Sequence, residues 1–238
     1  NTLIVQAGCN AKFVGRLELT IDLETEAVVS HNGLLVELRH ITSPVDATTA
    51  KWIRQAESEK CPQAQAVIGQ TGTQITTPQL ARLYARALRH KAGADIGICH
   101  RQRVMGGFTA GRQIDGNAVY ASYQGDGREV VLVSLKGADV SRYLDAAKKG
   151  ANTPTWDGFT ARVDYGKPAG QRVTESNLEP EHEYVVVLPA EQINTLTRNL
   201  RIKIPKQSIT LCDYTTVDAM REYIEALTAG GGKVQPIE

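Results

Sequence analysis

Aromatic residues are scarce in this chain: Phe, Trp and Tyr together make up 5 % of its 238 residues. That scarcity argues against a broad base-stacking surface for nucleic acid. Charge of one sign is also missing. The 27 Lys and Arg residues nearly cancel the 26 Asp and Glu residues, which leaves a formal charge of +1. Neither nucleic acid nor an anionic membrane is therefore expected as a bulk electrostatic partner. No apolar run approaches the roughly 20 residues that a membrane-spanning helix needs. No basic start followed by an apolar stretch marks a signal peptide. The four cysteines, Cys9, Cys61, Cys99 and Cys212, form no Cys-x-x-Cys pair, so neither a zinc ribbon nor a thioredoxin-like redox site is expected. A chain of this size buries a core without covalent staples, so the thiols are expected free and mostly buried. Gly-x-Ser-x-Gly is absent too, and with it the usual signature of a serine nucleophile elbow.

What is present begins with strands. In Phe13-Val14-Gly15-Arg16-Leu17-Glu18-Leu19-Thr20-Ile21-Asp22, the residues Phe13, Leu17, Leu19 and Ile21 alternate with Arg16, Glu18, Thr20 and Asp22. A period of two is the mark of a half-buried strand. Strands are read at 2–7, 13–22, 26–30 and 34–41. Asp46 stands as an N-cap for a connecting helix over 46–59, and Cys61-Pro62 breaks that helix. A strand near 64–69 follows. Thr76-Thr77-Pro78 opens a helix with Leu80, Leu83, Tyr84, Ala87 and Leu88 on one face, closed by Gly93 in a left-handed cap. Ala94 to Cys99 reads as a short buried strand, 100–117 as irregular, and Glu129 to Leu135 as the strongest strand of the chain. A helix capped by Asp139 is expected through Lys149. Strands at 159–165 and 183–188 flank the turn Gly166-Lys167-Pro168-Ala169-Gly170. Helix is expected over 190–200 and short strands at 201–204 and 208–212. A capping-box start at Thr215-Thr216-Val217-Asp218 leads the last helix, with Ala219, Met220, Tyr223, Ile224 and Leu227 inward. Helices and strands without strict alternation point to an α+β (mixed α/β) fold.

Taken in order, these segments resemble the 5'-nucleotidase type of metallophosphoesterase. Thr2 to Gly8, Lys12 and Gly15-Arg16-Leu17 are similar to the last strands of its catalytic domain. Helix 46–59 is similar to its linker helix. The helix over 78–92 with Gly93-Ala94-Asp95-Ile96, the region Phe159 to Val173, the strand Tyr184 to Val187 and the helix at Asp218 to Tyr223 are similar to its C-terminal domain. The resemblance implies three parts. Residues 1–45 hold the final strands of a metallophosphoesterase-like domain, 46–60 the linker helix, and 61–238 a 5'-nucleotidase C-terminal-like domain. It further implies a substrate-binding role, in which the chemistry depends on divalent metals such as Mn or Zn. Their Asp, His and Asn ligands lie upstream of Asn1 in the family, so this chain alone is expected to hold no metal and to be inactive. A nucleotide or another small phosphoester is the expected partner. A bacterial cell-envelope or periplasmic setting is implied by the family alone. The N-terminal strands are expected either to dock on the C-terminal domain or to pair their edges with another copy.

The chain departs from the family where nucleotides are recognised. The family's Asn, glycine-rich run and Arg read here as His100-Arg101-Gln102-Arg103-Val104-Met105, which places Met105 at the Arg position. Tyr123-Gln124-Gly125-Asp126 replaces Pro-Phe-Gly-Asn, and Leu188 to Asn194 replaces the segment with the second stacking Phe. Each lost stacking partner removes about 1–3 kcal/mol of base binding. Arg101, Arg103 and His100, just past a strand end, with Arg112, Tyr123 and Asp126, are the candidate substrate contacts. The other reading of the arginine loop is a solvated basic turn. Trp52 and Trp156 are read as packing residues. Loss of nucleotide recognition leaves a second functional reading, a non-catalytic binding or structural module.

Overall fold

The turn that closes the N-terminal hairpin shows how local chemistry sets this fold. Asp22 Oδ1 accepts hydrogen bonds from the backbone N–H groups of Glu24 and Thr25, both at 2.9 Å, and Glu26 takes a left-handed φ of 52°. The chain reverses there. Strands β1 (Phe13–Ile21) and β2 (Val28–Glu37) pair antiparallel from Phe13↔Glu37 to Ile21↔Val28. The structure, a computed structural model, describes residues 2–7, 13–38, 44–124, 127–147 and 153–237. It divides into two units, Asn1–Ala56 and Glu57–Glu238.

The first unit corrects the strand reading in two places. Residues 2–7 form no strand. The expected strands 26–30 and 34–41 merge into one strand, Val28–Glu37, because His31, Asn32 and Gly33 keep their cross-strand partners Leu19, Glu18 and Leu17, and residues 39–41 lie outside the described residues. Helix α1 (Ala47–Lys60) starts where expected, with Asp46 Oδ1 accepting from Thr49 N at 2.7 Å. Trp52 on this helix is 68 % exposed, which corrects its reading as a packing residue.

The second unit opens with the short helix α2 (Pro62–Gln65) and β3 (Val67–Gln70). Helix α3 (Thr77–Ala92) has the foreseen start and stop. Thr76 N donates to Gln79 Oε1 at 2.9 Å, and Gly93 caps with φ 60°. Its predicted stripe is fully buried. Strand β4 (Ile96–His100) follows, and then a 3-10 turn over Arg101–Arg103. The stretch read as irregular also contains β5 (Gln113–Asp115) and α4 (Gly116–Ala121), capped by Asp115. Both are too short to give a periodic signal. Next come β6 (Glu129–Lys136) and α5 (Gly137–Ala146). Helix α5 begins three residues earlier than a cap at Asp139 would give, so Asp139 lies in its first turn beside Arg142 rather than at the cap.

Strand β7 (Pro154–Asp157) was not legible in the sequence. The turn at 166–170 joins β8 (Ala161–Val163) to β9 (Val173–Ser176), not to the strand at 183–188. That strand, β10 (Glu183–Pro189), belongs to the main sheet. The helical stretch over 190–200 is a single turn, α6 (Gln192–Asn194), continued by a π-helical segment over Thr195–Asn199. Residues 201–204 form no strand, and Arg201 has a φ of 54°. β11 (Ile209–Thr215) and α7 (Thr216–Thr228) end the fold, with the capping box in place: Thr215 N donates to Asp218 Oδ2 at 2.9 Å. Leu227 is 40 % exposed, which takes it out of the expected inward set.

The five-stranded sheet runs β11-β6-β10-β4-β7. β10 and β4 are parallel, and the other neighbours are antiparallel. Period two sorts its side chains. Ile96, Ile98, Val133, Val186 and Leu188 join one cluster with Val140, Tyr143 and Leu144 of α5. Cys99 and Val187 turn to the opposite face, with α3 and α7. A Cβ on Gly97 would lie 2.0 Å from Ala85 O, so α3 rests directly on the β4 backbone. The fold is thus a mixed sheet between two layers, an α+β arrangement as expected.

Candidate functional site

The parallel pair β4 and β10 ends on the same side of the sheet, and loops at strand ends are where rigid scaffolds present ligand groups. Asp95 locks the pair at its start: Asp95 Oδ2 accepts from Val185 N at 2.8 Å, and Asp95 N donates to Val185 O at 3.0 Å. At the far end, β4 delivers His100 and the 3-10 turn, and β10 delivers Glu191 and Gln192. The turn is tied down by backbone bonds from Gln124 N to Arg103 O at 2.7 Å and from Met105 N to Ser122 O at 2.8 Å.

Arg103 Nε donates to Glu191 Oε1 at 2.9 Å. Arg128 approaches the same carboxylate from the start of β6, with its Nε 3.2 Å from Oε2. That second approach is a charge contact rather than an aligned hydrogen bond. Two guanidiniums on one carboxylate leave one positive charge over. All three side chains are about a quarter to a third exposed, so the pair is open to an incoming anion. Arginine's planar fork suits a tetrahedral oxyanion.

Beside this cluster lies a neutral chain of polar groups. His100 is buried, and its Nε2 is hydrogen-bonded to the Tyr143 hydroxyl. That hydroxyl donates to Gln192 Oε1 at 3.1 Å. It has one proton to give, so the imidazole must donate from Nε2 and carry no hydrogen on Nδ1. Nδ1 is buried without a partner among the described residues. Burial pushes the His100 pKa down to about 4, an effect that Glu191 opposes and Arg103 reinforces. Burial likewise raises the Tyr143 hydroxyl well above its ordinary value. At neutral pH the chain of three is uncharged. It borders a cavity of about 280 Å³, whose polar lining is His100, Gln102, Tyr143, Gln192, Thr195 and Asn199.

The residues singled out from the sequence divide accordingly. His100 and Arg103 come together here, and Arg101 is exposed on the same turn. Arg112 belongs elsewhere: its guanidinium lies 5.7 Å from the Phe108 ring centre, and its backbone carbonyl bonds Thr71. The Tyr123 ring is 3 % exposed and packs 4.9 Å from the Tyr84 ring, so it offers no face to a base. Asp126 lies outside the described residues. Sequence reasoning missed Glu191, Arg128, Tyr143 and Gln192. Glu191 and Gln192 could have been found as polar residues just after β10, where the chain departs from the family, whereas Arg128 before β6 and Tyr143 within α5 carry no such signal. No group of three or more His, Cys, Asp or Glu side chains among the described residues could hold a metal ion.

Residues 48–191 match the family described as 5'-nucleotidase, C-terminal domain. No curated protein matches the sequence. Among solved structures, the chain is similar to a 5'-nucleotidase precursor from Thermus thermophilus, with TM-score 0.70 and 18 % identity over 95 % of this chain and 48 % of that one. It is also similar to the sulfate thiohydrolase SoxB of Thermus thermophilus, with TM-score 0.67 and 14 % identity over 95 % of this chain and 44 % of that one. The NAD nucleotidase NadN of Haemophilus influenzae gives TM-score 0.60 and 15 % identity over 90 % and 51 %. The chain thus spans about half the length of each. The fold, the ordered motifs and the match over more than half its residues together show that this chain belongs to the 5'-nucleotidase C-terminal domain family.

Proposed function

We propose that this chain supplies the substrate-holding part of a 5'-nucleotidase-like phosphoester hydrolase. Arg103 and Arg128 grip the anionic group of the substrate, with Arg101 at the rim and His100 alongside. Bond cleavage depends on divalent metals held by residues outside those the structure describes. Two metal ions suit that step because they generate hydroxide and neutralise the phosphoryl oxygens. One observation carries the reading: in a member of this family, two guanidiniums converge on a single carboxylate at the end of the parallel strands.

The test is calorimetric titration of the 238-residue chain with inorganic phosphate and with AMP, alongside a turnover assay with Mn or Zn. Saturable phosphate binding that Arg103→Ala weakens about tenfold or more, a loss of about 1.4 kcal/mol, supports the proposal. Phosphate binding unaffected by Arg103→Ala contradicts the grip. Metal-dependent hydrolysis of AMP by this chain alone contradicts the division of labour.

A second reading, a binding or structural module without nucleotide recognition, is favoured by the buried Tyr123 ring and by Glu191 already neutralising one guanidinium. Absence of binding by any phosphate compound selects it.

A further inference from the structure

The neutral cavity beside the arginine pair has a lining that discriminates between kinds of organic group. No charged side chain is among its lining residues. Its polar groups are amides, hydroxyls and one imidazole, each suited to exchange hydrogen bonds with hydroxyl groups. At about 30 Å³ per water, its 280 Å³ has room for a small fragment. It falls just below the usual range of about 300–1,000 Å³ for pockets that take larger ligands. Its two rings do not form a slot: His100 and Tyr143 meet edge to face, with centroids 5.9 Å apart and planes at 65°. A flat heterocycle finds no pair of parallel faces there. The same two segments carry both features. Arg103 and His100 lie on the β4 end and its turn, and Glu191 and Gln192 are consecutive after β10. Glu191 and Arg103 also act electrostatically on His100, which lines the cavity, so the arginine pair and the cavity are neighbours that one ligand can span.

We propose that the ligand is a phosphate ester of a small, non-aromatic, hydroxyl-bearing compound of the sugar or polyol kind. Its phosphate sits on Arg103 and Arg128, and its hydroxyl groups enter the cavity bordered by His100, Tyr143 and Gln192. This rests on the substrate-holding reading above and narrows it, because the organic group is recognised through hydroxyls and not through a base. The low pKa of His100 agrees with that chemistry, since a neutral imidazole neither repels nor attracts an uncharged fragment.

The experiment compares inorganic phosphate, ribose 5-phosphate, adenine and AMP by calorimetry on the 238-residue chain. Ribose 5-phosphate is expected to bind about tenfold tighter than phosphate, as two or three added hydrogen bonds would give. Adenine is expected not to bind, and AMP to bind no tighter than ribose 5-phosphate. Two variants remove the gain while leaving phosphate binding in place. Tyr143→Phe deletes the hydroxyl, and Asn199→Leu, at an exposed position, fills the cavity without entering the core. Equal affinity for phosphate and ribose 5-phosphate overturns this inference and leaves the substrate-holding reading intact. AMP binding tighter than ribose 5-phosphate, or saturable adenine binding, overturns it in favour of base recognition. A gain that survives both variants overturns the assignment to this cavity. Failure of phosphate itself to bind removes both.

Discussion

Strand β1 of the first unit and strand β6 of the second carry similar hydrophobic content in different surroundings. All nine residues of β1 are exposed, and so are all ten of its partner β2. In β6, by contrast, Val130, Val131, Val133 and Leu135 are buried. β6 has a hydrogen-bonded neighbour on each side, and apolar clusters form on both faces of its sheet. Among the described residues β1 has one neighbour, and apolar side chains such as Val14, Ile21, Val29 and Leu35 remain exposed. A two-stranded hairpin is marginal in water by itself. Alternation therefore marks a face that gains from being covered, and the cover itself has to come from other parts of a chain.

The sharpest way to break this comparison is to add one methyl group to each region. A Cβ on Gly97 meets a backbone oxygen at 2.0 Å, whereas a Cβ on Gly33 meets nothing closer than Leu17 Cδ1 at 3.8 Å. Gly97→Ala is expected to cost about 3 kcal/mol or more, because the α3 backbone cannot yield as a side chain can. Gly33→Ala is expected to stay within about 0.5 kcal/mol. Thermal unfolding by circular dichroism reads both, and equal effects would remove the distinction.

Next in size is a matched pair of truncations. Leu188 is fully buried, while Leu35 is 55 % exposed. Leu188→Ala should lower stability by about 2–5 kcal/mol, and Leu35→Ala by less than about 1 kcal/mol. Urea unfolding midpoints at constant m-value check this, and a Leu35→Ala loss as large as that of Leu188→Ala would mean the hairpin is covered in solution.

The two units should also respond to acid in different windows. His100 is neutral when folded, and its pKa lies near 4 against an ordinary 6.5. The unfolded chain thus binds a proton more readily between those values, and stability falls as pH drops from about 6.5 toward 4. Asp22 loses its contribution in the same direction but lower on the pH scale. Hydrogen bonds from the backbone of Thr25 and Glu24 lower its pKa below 3.8, so what it contributes to the hairpin turn is lost only as pH falls below that value. His100→Gln keeps a donor for Tyr143 and should flatten the stability profile of the second unit between pH 6.5 and 4. An unchanged slope would assign the acid sensitivity to other groups.

The smallest effect is one of reactivity within the second unit. Cys61 is exposed, whereas Cys99 is buried with its thiol pushed up to about 12 by burial. A thiol reagent at mildly alkaline pH should label Cys61 and leave Cys99 untouched until denaturant is added. Mass spectrometry of the labelled peptides reads this directly, and labelling of native Cys99 would contradict its place in the core.

Much of the fold was legible because its signals are local. The capping pairs Thr76 with Gln79 and Thr215 with Asp218 span three residues each, and the Gly93 cap depends on one backbone angle. The stripe of α3 follows from helical spacing alone. The pieces that escaped, β5, α4 and β7, are three to six residues long and owe their form to neighbours. In the hairpin, Asn32-Gly33 looks like a turn by composition, yet it continues as strand because cross-strand pairing holds it extended. The site was legible in half. His100 and Arg103 stand out as polar residues after a buried strand. Glu191 lies 88 residues from Arg103, and Tyr143 lies 43 from His100, so no spacing rule joins them.

By itself the sequence determined where α3 and α7 start, where α3 stops, which face of α3 belongs to the core, and the order of segments that marks the family. Those properties rest on short-range hydrogen bonding and on side-chain periodicity. The tertiary structure alone decided that Tyr123 is a core ring, that Arg103 and Arg128 share one carboxylate, and that His100 sits neutral against Tyr143 beside a cavity. Burial, charge pairing and proton position are set by what lies across space, and the sheet brings together groups that the chain keeps far apart.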